Sequence, residues 1–348
     1  MDSVTQAVLG ASVAHACWHK PLGRWSIAWG LGLGTLPDLD IIAYPFLDKV
    51  QQLYWHRGES HALWLIVLLT FLLTPLICRV HRRADPPLTR RTAFLGLWLI
   101  FSSHVLIDVF TVYGTQLLAP FSRFGFSVGN LFIIDPLFTL PMLVGILAVI
   151  LVPPDWRARV NRTGLVLAWL YAGWSVVAQV RAHEVFEQAL DDLDVVTLPG
   201  RSITTAAPLN TLLWRHLAEV EDGFLVGYWS WLDGDRNVFF TYVPRQADKV
   251  NHLRDTRAFG AVDWFSRGYW AAFPEEGRVR IVDLRFNEVK PRAMAPPNHW
   301  SGPFSWAFPE SESASGEPEL IQLPMTIDSR GDGFRRLWRR MLGDEDAW

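Results

Sequence analysis

Cysteine is scarce in this sequence, and several common functional signals are missing. Only Cys17 and Cys78 occur among 348 residues, so no disulfide framework is expected in the C-terminal half. The formal net charge of −3 argues against a nucleic-acid partner, which would require a basic surface. Neither an internal repeat nor a glycine-rich phosphate-binding motif is found. No cleavable signal peptide is expected, because Asp2 stands where a basic n-region would begin.

The composition is intermediate between that of a soluble protein and that of a membrane protein. Half of the residues are apolar, and the mean hydropathy is +0.14. The eighteen Trp residues suit a protein with interfacial surface, since indole prefers the headgroup level. We therefore predict a polytopic α-helical membrane protein with a C-terminal α+β soluble domain. The predicted boundary separates a membrane domain, 1–181, from a soluble domain, 182–348.

Apolar runs locate the predicted membrane spans. Four are expected, at Ala62–Ile77, Phe94–Val112, Leu131–Val152 and Leu165–Val180. Two earlier runs fall below the ~20 residues that a straight span needs. Val4–Trp18 is expected to be a re-entrant or partly buried helix. Ile27–Leu36 contains Gly30, Gly32 and Gly34, a spacing that favours close contact between helices.

Basic connecting segments predict the orientation in the membrane. Arg79–Arg91 and Arg157–Arg162 are separated by two predicted spans, so both lie on one side, which the positive-inside rule makes cytoplasmic. The soluble domain then lies outside the cytoplasm, as part of a multi-pass protein of a bacterial-type inner membrane. In that domain, helices are expected at Pro208–Val220 and Phe334–Leu342. Strands are expected at Phe224–Trp231, Asn237–Val243, Trp264–Phe273 and Arg278–Phe286.

The most informative stretch is His56-Arg57-Gly58-Glu59-Ser60-His61, immediately before the first predicted span. Ionisable groups at such a boundary are costly unless they pair or bind something. Gly58 permits a tight turn, so both imidazoles can face one point and bind a metal ion. The alternative is a helix cap formed by Ser60, with His56 and Arg57 at the lipid headgroups.

Further polar residues lie inside or beside the apolar runs, and the predicted topology sends all of them to one membrane face. They are Asp2, Gln6, Asp38, Asp40, His56, His61, His104, Asp108 and Asp135. His104 and Asp108 have i, i+4 spacing and share a helix face. Asp38 and Asp40 would point the same way in an extended segment. Such a mixture suits a divalent metal, zinc first, with manganese or iron as alternatives, in a site of one or two ions.

Each residue also has a simpler explanation. His104 alone can be a hydrogen-bonded core histidine, and Asp108 can cap or snorkel. Asp135 can be an N-cap with Pro136 at the first helical position, and Glu59 can be a solvated charge. As a group, however, buried carboxylates in a membrane need compensation, and a divalent ion neutralises several at once.

Several motifs together resemble the YdjM-type family of inner-membrane proteins. They are Met1-Asp2-Ser3-Val4-Thr5-Gln6, Leu36-Pro37-Asp38-Leu39-Asp40, His56-Arg57-Gly58-x-Ser60-His61, His104-x-x-x-Asp108, Tyr113-Gly114-Thr115 and Pro120-Phe121-Ser122. The resemblance implies a membrane-bound metal-dependent hydrolase. Gln6 departs from the family, many members of which have His there, and an amide is a poor metal ligand. The His-x-x-x-Asp element is also similar to that of zinc-dependent phospholipase C enzymes, which implies a phosphoester substrate.

These observations predict metal-activated hydrolysis of a phosphoester or a lipid-linked small molecule at the bilayer. The predicted metal ligands are Asp38, Asp40, His56, His61, His104 and Asp108. Arg57 is expected to bind the anionic substrate, since a guanidinium fork fits phosphate, and Asp2 or Glu59 to orient water. The rival hypothesis is a non-catalytic membrane scaffold or transport component whose metal ion is structural.

Overall fold

A computed structural model describes residues 1–234, 238–286, 302–309, 318–324, 332–344 and 347. The chain divides into two compact units. The first comprises Met1–Pro45 and Trp55–Val176, and the second comprises Phe46–Tyr54 and Val177–Trp348. The N-terminal region is helical, and the C-terminal region carries two small antiparallel sheets.

Helices account for most of the N-terminal region. They are α1 (Ser3–Leu22), α2 (Trp25–Thr35), α3 (Lys49–Trp55), α4 (Leu63–Val80), α5 (Arg90–Val109), α6 (Pro136–Leu151) and α7 (Pro154–Asp192). Short 3₁₀ helices occupy Pro37–Phe46 and Glu59–His61. Among the residues that the structure describes, α4, α5 and α7 are long and apolar enough to cross a membrane.

The predicted span Leu131–Val152 is shorter in the structure. Helix α6 begins only at Pro136, because Asp135 is its N-cap and accepts hydrogen bonds from the backbone N–H groups of Leu137 and Phe138. The alternative interpretation of Asp135 as a cap is therefore confirmed. The 16 residues of α6 rise about 24 Å at 1.5 Å per residue, less than the ~30 Å thickness of the hydrocarbon core.

Helix α1 packs at the centre of the first unit, where Leu9, Ala14 and Trp18 are buried. It is therefore the partly buried helix that the sequence predicts. It contacts α2 at glycines: a Cβ added at Gly10 would lie 2.3 Å from the Gly30 carbonyl oxygen. A Cβ on Gly34 would lie 2.6 Å from the Gln6 carbonyl oxygen. The predicted close contact through small residues is thus confirmed.

Gly34→Ala is expected to destabilise the protein, because the added methyl group meets backbone that cannot rotate away. Overpacking of this kind costs about 1–3 kcal/mol. Gly32→Ala is the matched control, since a Cβ there meets nothing within 4 Å and Ala is the better helix former. Thermal unfolding of the detergent-purified variants measures the difference. Equal unfolding midpoints for the two variants would show that the α1–α2 contact is loose.

The second unit contains two four-stranded antiparallel sheets with simple sequential order. The first sheet is formed by β1 (Ser202–Ala206), β2 (Leu213–Val220), β3 (Gly223–Ser230) and β4 (Phe240–Pro244). The second is formed by β5 (Trp270–Glu275), β6 (Arg278–Asp283), β7 (Ser305–Pro309) and β8 (Ile321–Gln322). Helices α8 (Arg257–Ser266) and α9 (Asp332–Met341) and the 3₁₀ helix Ala247–Leu253 also belong to this unit.

Two predictions for this unit are wrong. Pro208–Val220 is not a helix, because the Asn210 side chain accepts hydrogen bonds from the N–H groups of Leu212 and Leu213 and starts strand β2 instead. Trp264–Phe273 is not one strand. Arg267 and Gly268 both have positive φ, 55° and 74°, which ends α8 before β5 begins.

Candidate metal centre

Four of the predicted ligands lie together in the first unit. One nitrogen or oxygen atom from each of Asp38, His61, His104 and Asp108 falls within 4.8 Å of the others. His61 Nε2 lies 3.3 Å from Asp38 Oδ1 and 3.1 Å from Asp108 Oδ2. His104 Nε2 lies 3.5 Å from the same two oxygen atoms. Two imidazoles and two carboxylates thus converge on one point.

Three segments supply these side chains. His104 and Asp108 are one turn apart on α5, so their side chains share a face as the i, i+4 spacing predicts. Asp38 follows the end of α2, in the 3₁₀ helix Pro37–Phe46. His61 ends the short 3₁₀ helix that precedes α4. The His-x-x-x-Asp pair is local, whereas the other two ligands reach it only through tertiary packing.

Hydrogen bonds aim both imidazoles at the cluster. His104 Nδ1 lies 2.7 Å from the carbonyl oxygen of Gly34, which can only accept. The Ser60 hydroxyl donates to Asp40 Oδ2 at 3.0 Å and therefore accepts from His61 Nδ1 at 2.8 Å. In neutral rings this leaves the lone pair of each Nε2 facing inwards. The two Nε2 atoms are 3.2 Å apart, an arrangement that calls for a cation or a proton between them.

In each of the two carboxylates, at least one oxygen atom lacks a hydrogen-bond donor among the described residues. Asp108 Oδ1 accepts from Gln6 Nε2 at 2.9 Å, and Arg57 Nη2 lies 3.0 Å away. The Met1 amino group contacts the same oxygen. In contrast, Asp108 Oδ2 and Asp38 Oδ1 are buried oxygen atoms with no hydrogen-bond donor among the described residues. Buried, unpaired anionic oxygens are costly, so these donors fit a divalent ion that binds nitrogen and oxygen, such as zinc.

Two predicted ligands, Asp40 and His56, are not in the cluster. The prediction assumed an extended chain, but Asp38 and Asp40 lie in a 3₁₀ helix, where residues two apart point in different directions. Asp40 instead accepts from His56 Nδ1 at 3.1 Å and from the Arg57 backbone N–H at 3.0 Å. Through Ser60 it also fixes the ring of His61, which is a supporting position for a metal ligand.

The local geometry of the His56–His61 stretch differs from the prediction in a second respect. The residue in the left-handed conformation is Arg57, with φ of 54°, not Gly58. The two imidazoles meet edge to face, with ring centroids 6.5 Å apart, but only His61 faces the cluster, whereas His56 Nδ1 pairs with Asp40. The cap alternative is also wrong, because α4 has Ala62 at its N-cap without a side-chain hydrogen bond.

The three predicted catalytic residues are not among the clustered side chains. Arg57 is buried; its Nη1 donates to Thr111 Oγ1 at 3.0 Å, and Nη2 pairs with Asp108. Glu59 pairs with Arg123 at 2.5 Å. Asp2 caps α1 by accepting from the N–H groups of Val4 and Thr5. The contact of Arg57 with an anionic substrate and the orientation of water by Asp2 or Glu59 stay predictions.

Gln6 has a role that its sequence position does not disclose. Its amide donates to Asp108 and, at 3.3 Å, to the carbonyl oxygen of His104. It thereby holds one carboxylate oxygen and leaves the other for the cluster. The signal available in the sequence was its place among the polar residues that the predicted topology sends to one membrane face. Thr111, which contacts Arg57, carried no signal of its own.

The region that holds the cluster is similar to a known protein family. A family model described as YdjM inner membrane protein matches residues 1–182, the region that holds all four clustered side chains. The chain is also 24% identical over 311 residues to "Uncharacterized protein YfhP" of Bacillus subtilis (strain 168), covering 82% of this chain and 87% of the relative. No solved structure matches the chain. Because the match spans more than half of the sequence, the chain belongs to the YdjM inner membrane protein family.

Proposed function

We propose that this protein is a membrane-bound metal-dependent hydrolase acting on a phosphoester or lipid-linked substrate. The observation that carries the proposal is the convergence of two imidazole nitrogens and two carboxylate oxygens that lack donors. Asp38, His61, His104 and Asp108 would hold the ion. When bound, a divalent ion would supply Lewis-acid chemistry, polarising a phosphoryl oxygen and acidifying water. Zinc suits these donors best, with manganese or iron as alternatives.

Access to the cluster favours chemistry on one side of it. The side chain of Asp38 is 16% exposed, whereas those of His61, His104 and Asp108 are 0–1% exposed. Water and substrate therefore approach past Asp38. Arg57 and Gln6 contact the other carboxylate oxygen of Asp108 and hold that side chain in place. In this arrangement three of the four donor side chains are shielded from water, and the orientation of Asp108 is fixed by its hydrogen bonds.

One observation favours the rival function, a scaffold or transport component with a structural ion. Four protein donors complete a tetrahedral shell, and catalytic zinc sites keep one position open. Hydrolysis therefore requires that Asp38, the exposed donor, yield its position or that the shell expand to five. Measuring both turnover and bound metal in an Asp38 variant distinguishes a hydrolase from a scaffold with a structural ion.

Hydrolysis is tested on full-length protein purified in detergent, stripped with a chelator and reloaded with Zn²⁺, Mn²⁺ or Fe²⁺. We expect release of headgroup or phosphate from phosphoester lipids in mixed micelles only after reloading. Asp38→Asn should reduce that turnover by at least about 10–100-fold. Metal-loaded protein that is inert towards the whole lipid panel supports the scaffold. Turnover that survives both chelation and Asp38→Asn contradicts catalysis at this cluster.

We further propose that the cluster and the C-terminal domain face the outside of the inner membrane. The basis is the basic content of Arg79–Arg91 and Arg157–Arg162. A reporter fused after Trp348 should be active only outside the cytoplasm, and one inserted near Pro86 only inside. The opposite pattern at both positions would reverse the orientation and place the cluster at the cytoplasmic face.

A further inference from the structure

A second group of ligand-type side chains lies in the second unit of the chain. His183 and Glu187 are one turn apart near the C-terminal end of α7, and His216 is on β2. One donor atom from each falls within 4.8 Å of the other two. The i, i+4 spacing of His183 and Glu187 repeats that of His104 and Asp108. His216 is distant from this pair in the chain, so no local spacing in the sequence predicts the group of three.

The distances suit a small divalent ion. Glu187 Oε1 lies 3.6 Å from His216 Nε2 and 3.8 Å from His183 Nδ1. A tetrahedral zinc ion with bonds of about 2.0–2.1 Å holds its donors about 3.3 Å apart. To close that difference, the half-exposed side chains rotate, and His183 Nδ1 exchanges its contact with Thr204 Oγ1 at 3.1 Å, and Glu187 Oε1 its contact with Ser202 Oγ at 3.4 Å, for the ion. Neither separation is short enough for a hydrogen bond.

His216 is prepared as a ligand by its surroundings. It is fully buried, and the Phe186 ring stacks on it with a centroid distance of 4.9 Å. Its Nδ1 lies 2.8 Å from the hydroxyl of Thr204, its partner in the β1–β2 register. Donation from Nδ1–H to that hydroxyl leaves a lone pair on Nε2, directed towards Glu187. Nε2 has no hydrogen-bond partner among the described residues.

The charge state of His216 also suits a metal ligand. Burial, followed by the nearby His183 and Arg215, lowers the pKa of His216 to about 3. The ring is therefore neutral at physiological pH, which is the form that binds metals. A neutral, buried nitrogen that accepts no hydrogen bond is costly, and coordination of an ion at this position would remove that cost.

We propose that His183, Glu187 and His216 form a second divalent-metal site, of the zinc class, in the soluble part of the chain. The side chains of His183 and Glu187 are 48% and 43% exposed, so an ion enters from solvent. Three protein donors leave the fourth position of a tetrahedral ion to water or another ligand. The site is independent of the proposed hydrolase centre, because it shares no residue with it.

The test compares zinc binding by full-length wild-type protein, His183→Ala and Glu187→Gln in detergent, with a chelating dye as competitor. Each variant should bind one ion fewer than wild type, or bind that ion at least about 10–100-fold more weakly. The count of ions lost is diagnostic whether or not the first centre also binds zinc. These exposed positions are chosen because removal of the buried His216 would disturb the core.

His252→Ala is the control, since His252 belongs to the same unit but lies outside the cluster, where its Nε2–H donates to the Pro309 carbonyl oxygen at 3.0 Å. It should bind zinc as wild type does, and circular dichroism should be unchanged in all three variants. Identical zinc stoichiometry and affinity in wild type, His183→Ala and Glu187→Gln would overturn the proposal. Equal losses in His252→Ala would show non-specific histidine binding and would overturn it too.

Discussion

Replacing His104 with Ala is expected to lower the zinc affinity of the first centre by at least about 10–100-fold. The ring supplies one of two inward-facing imidazole nitrogens, 3.2 Å from the other. Without it, a single imidazole and two carboxylates remain. The affinity is measured by competition with a chelating dye on full-length protein in detergent. Asp108→Ala should have a comparable effect, because it removes the oxygen that lies 3.1 Å from His61.

His19→Ala is the matched control for this experiment. Like His104, His19 places Nδ1 near a backbone carbonyl oxygen, that of His15, at 3.1 Å, but it does not belong to the metal-ligand groups found among the described residues. It should bind zinc as wild type does. Wild-type zinc affinity in both His104→Ala and Asp108→Ala would remove these residues from the site. The close approach of these side chains would then be explained by a protonated His61 that pairs with Asp38 and Asp108, without a metal ion.

Replacing Arg57 with Met is expected to produce the largest loss of stability in the metal-free protein. The guanidinium is buried and pairs with the buried Asp108, so its removal leaves a carboxylate with less compensation. Breaking a buried pair costs about 3–5 kcal/mol. The lower end of that range applies here, because Gln6 and the Met1 amino group still contact Asp108. Thermal unfolding in detergent, with and without zinc, measures the loss.

Arg123→Met provides the comparison, since the Arg123–Glu59 pair is 39% and 29% exposed. Pairs of this kind contribute about 0–1 kcal/mol. Zinc should reduce the loss in Arg57→Met, because the ion compensates the same carboxylate, and should leave Arg123→Met unchanged. Equal losses for the two variants would mean that the pairing of Arg57 with Asp108 is not important for stability.

Local spacing made part of the site predictable. His104 and Asp108 share a face on any α-helix, and their places in an apolar run singled them out. Asp135 was also predictable as a cap, because Pro136 follows it and fixes the first helical position. In each case the relevant geometry is set within one helical turn, which is the range over which sequence rules hold.

The grouping of the remaining residues could not be predicted from the sequence. Asp38 and Asp40 point apart because the segment is a 3₁₀ helix, and the left-handed residue between His56 and His61 is Arg57. Neither conformation has a strong signal in the sequence; Gly58 was the expected turn residue. The role of Gln6 depends on the packing of α1 against α5, a tertiary contact that no spacing rule describes.

The same limit explains the errors in the second unit. Apolar and polar residues in 213–220 fit both a helix and a strand covered on both faces, and burial of nearly all of β2 removes the alternation that identifies strands. The decisive feature is the turn made by Asn210. Likewise, Arg267 carries the positive φ that ends α8, a conformation more often expected at the Gly268 that follows it.

The most direct test of the metal centre is X-ray absorption at the K-edge of zinc bound to the His183→Ala variant, in which only the first centre remains intact. We expect nitrogen and oxygen neighbours at about 2.0–2.2 Å, with the scattering pattern of two imidazole rings and no sulfur. Protein that retains no zinc after purification and reloading, or bound zinc whose spectrum lacks imidazole scattering, would contradict the proposed metal centre.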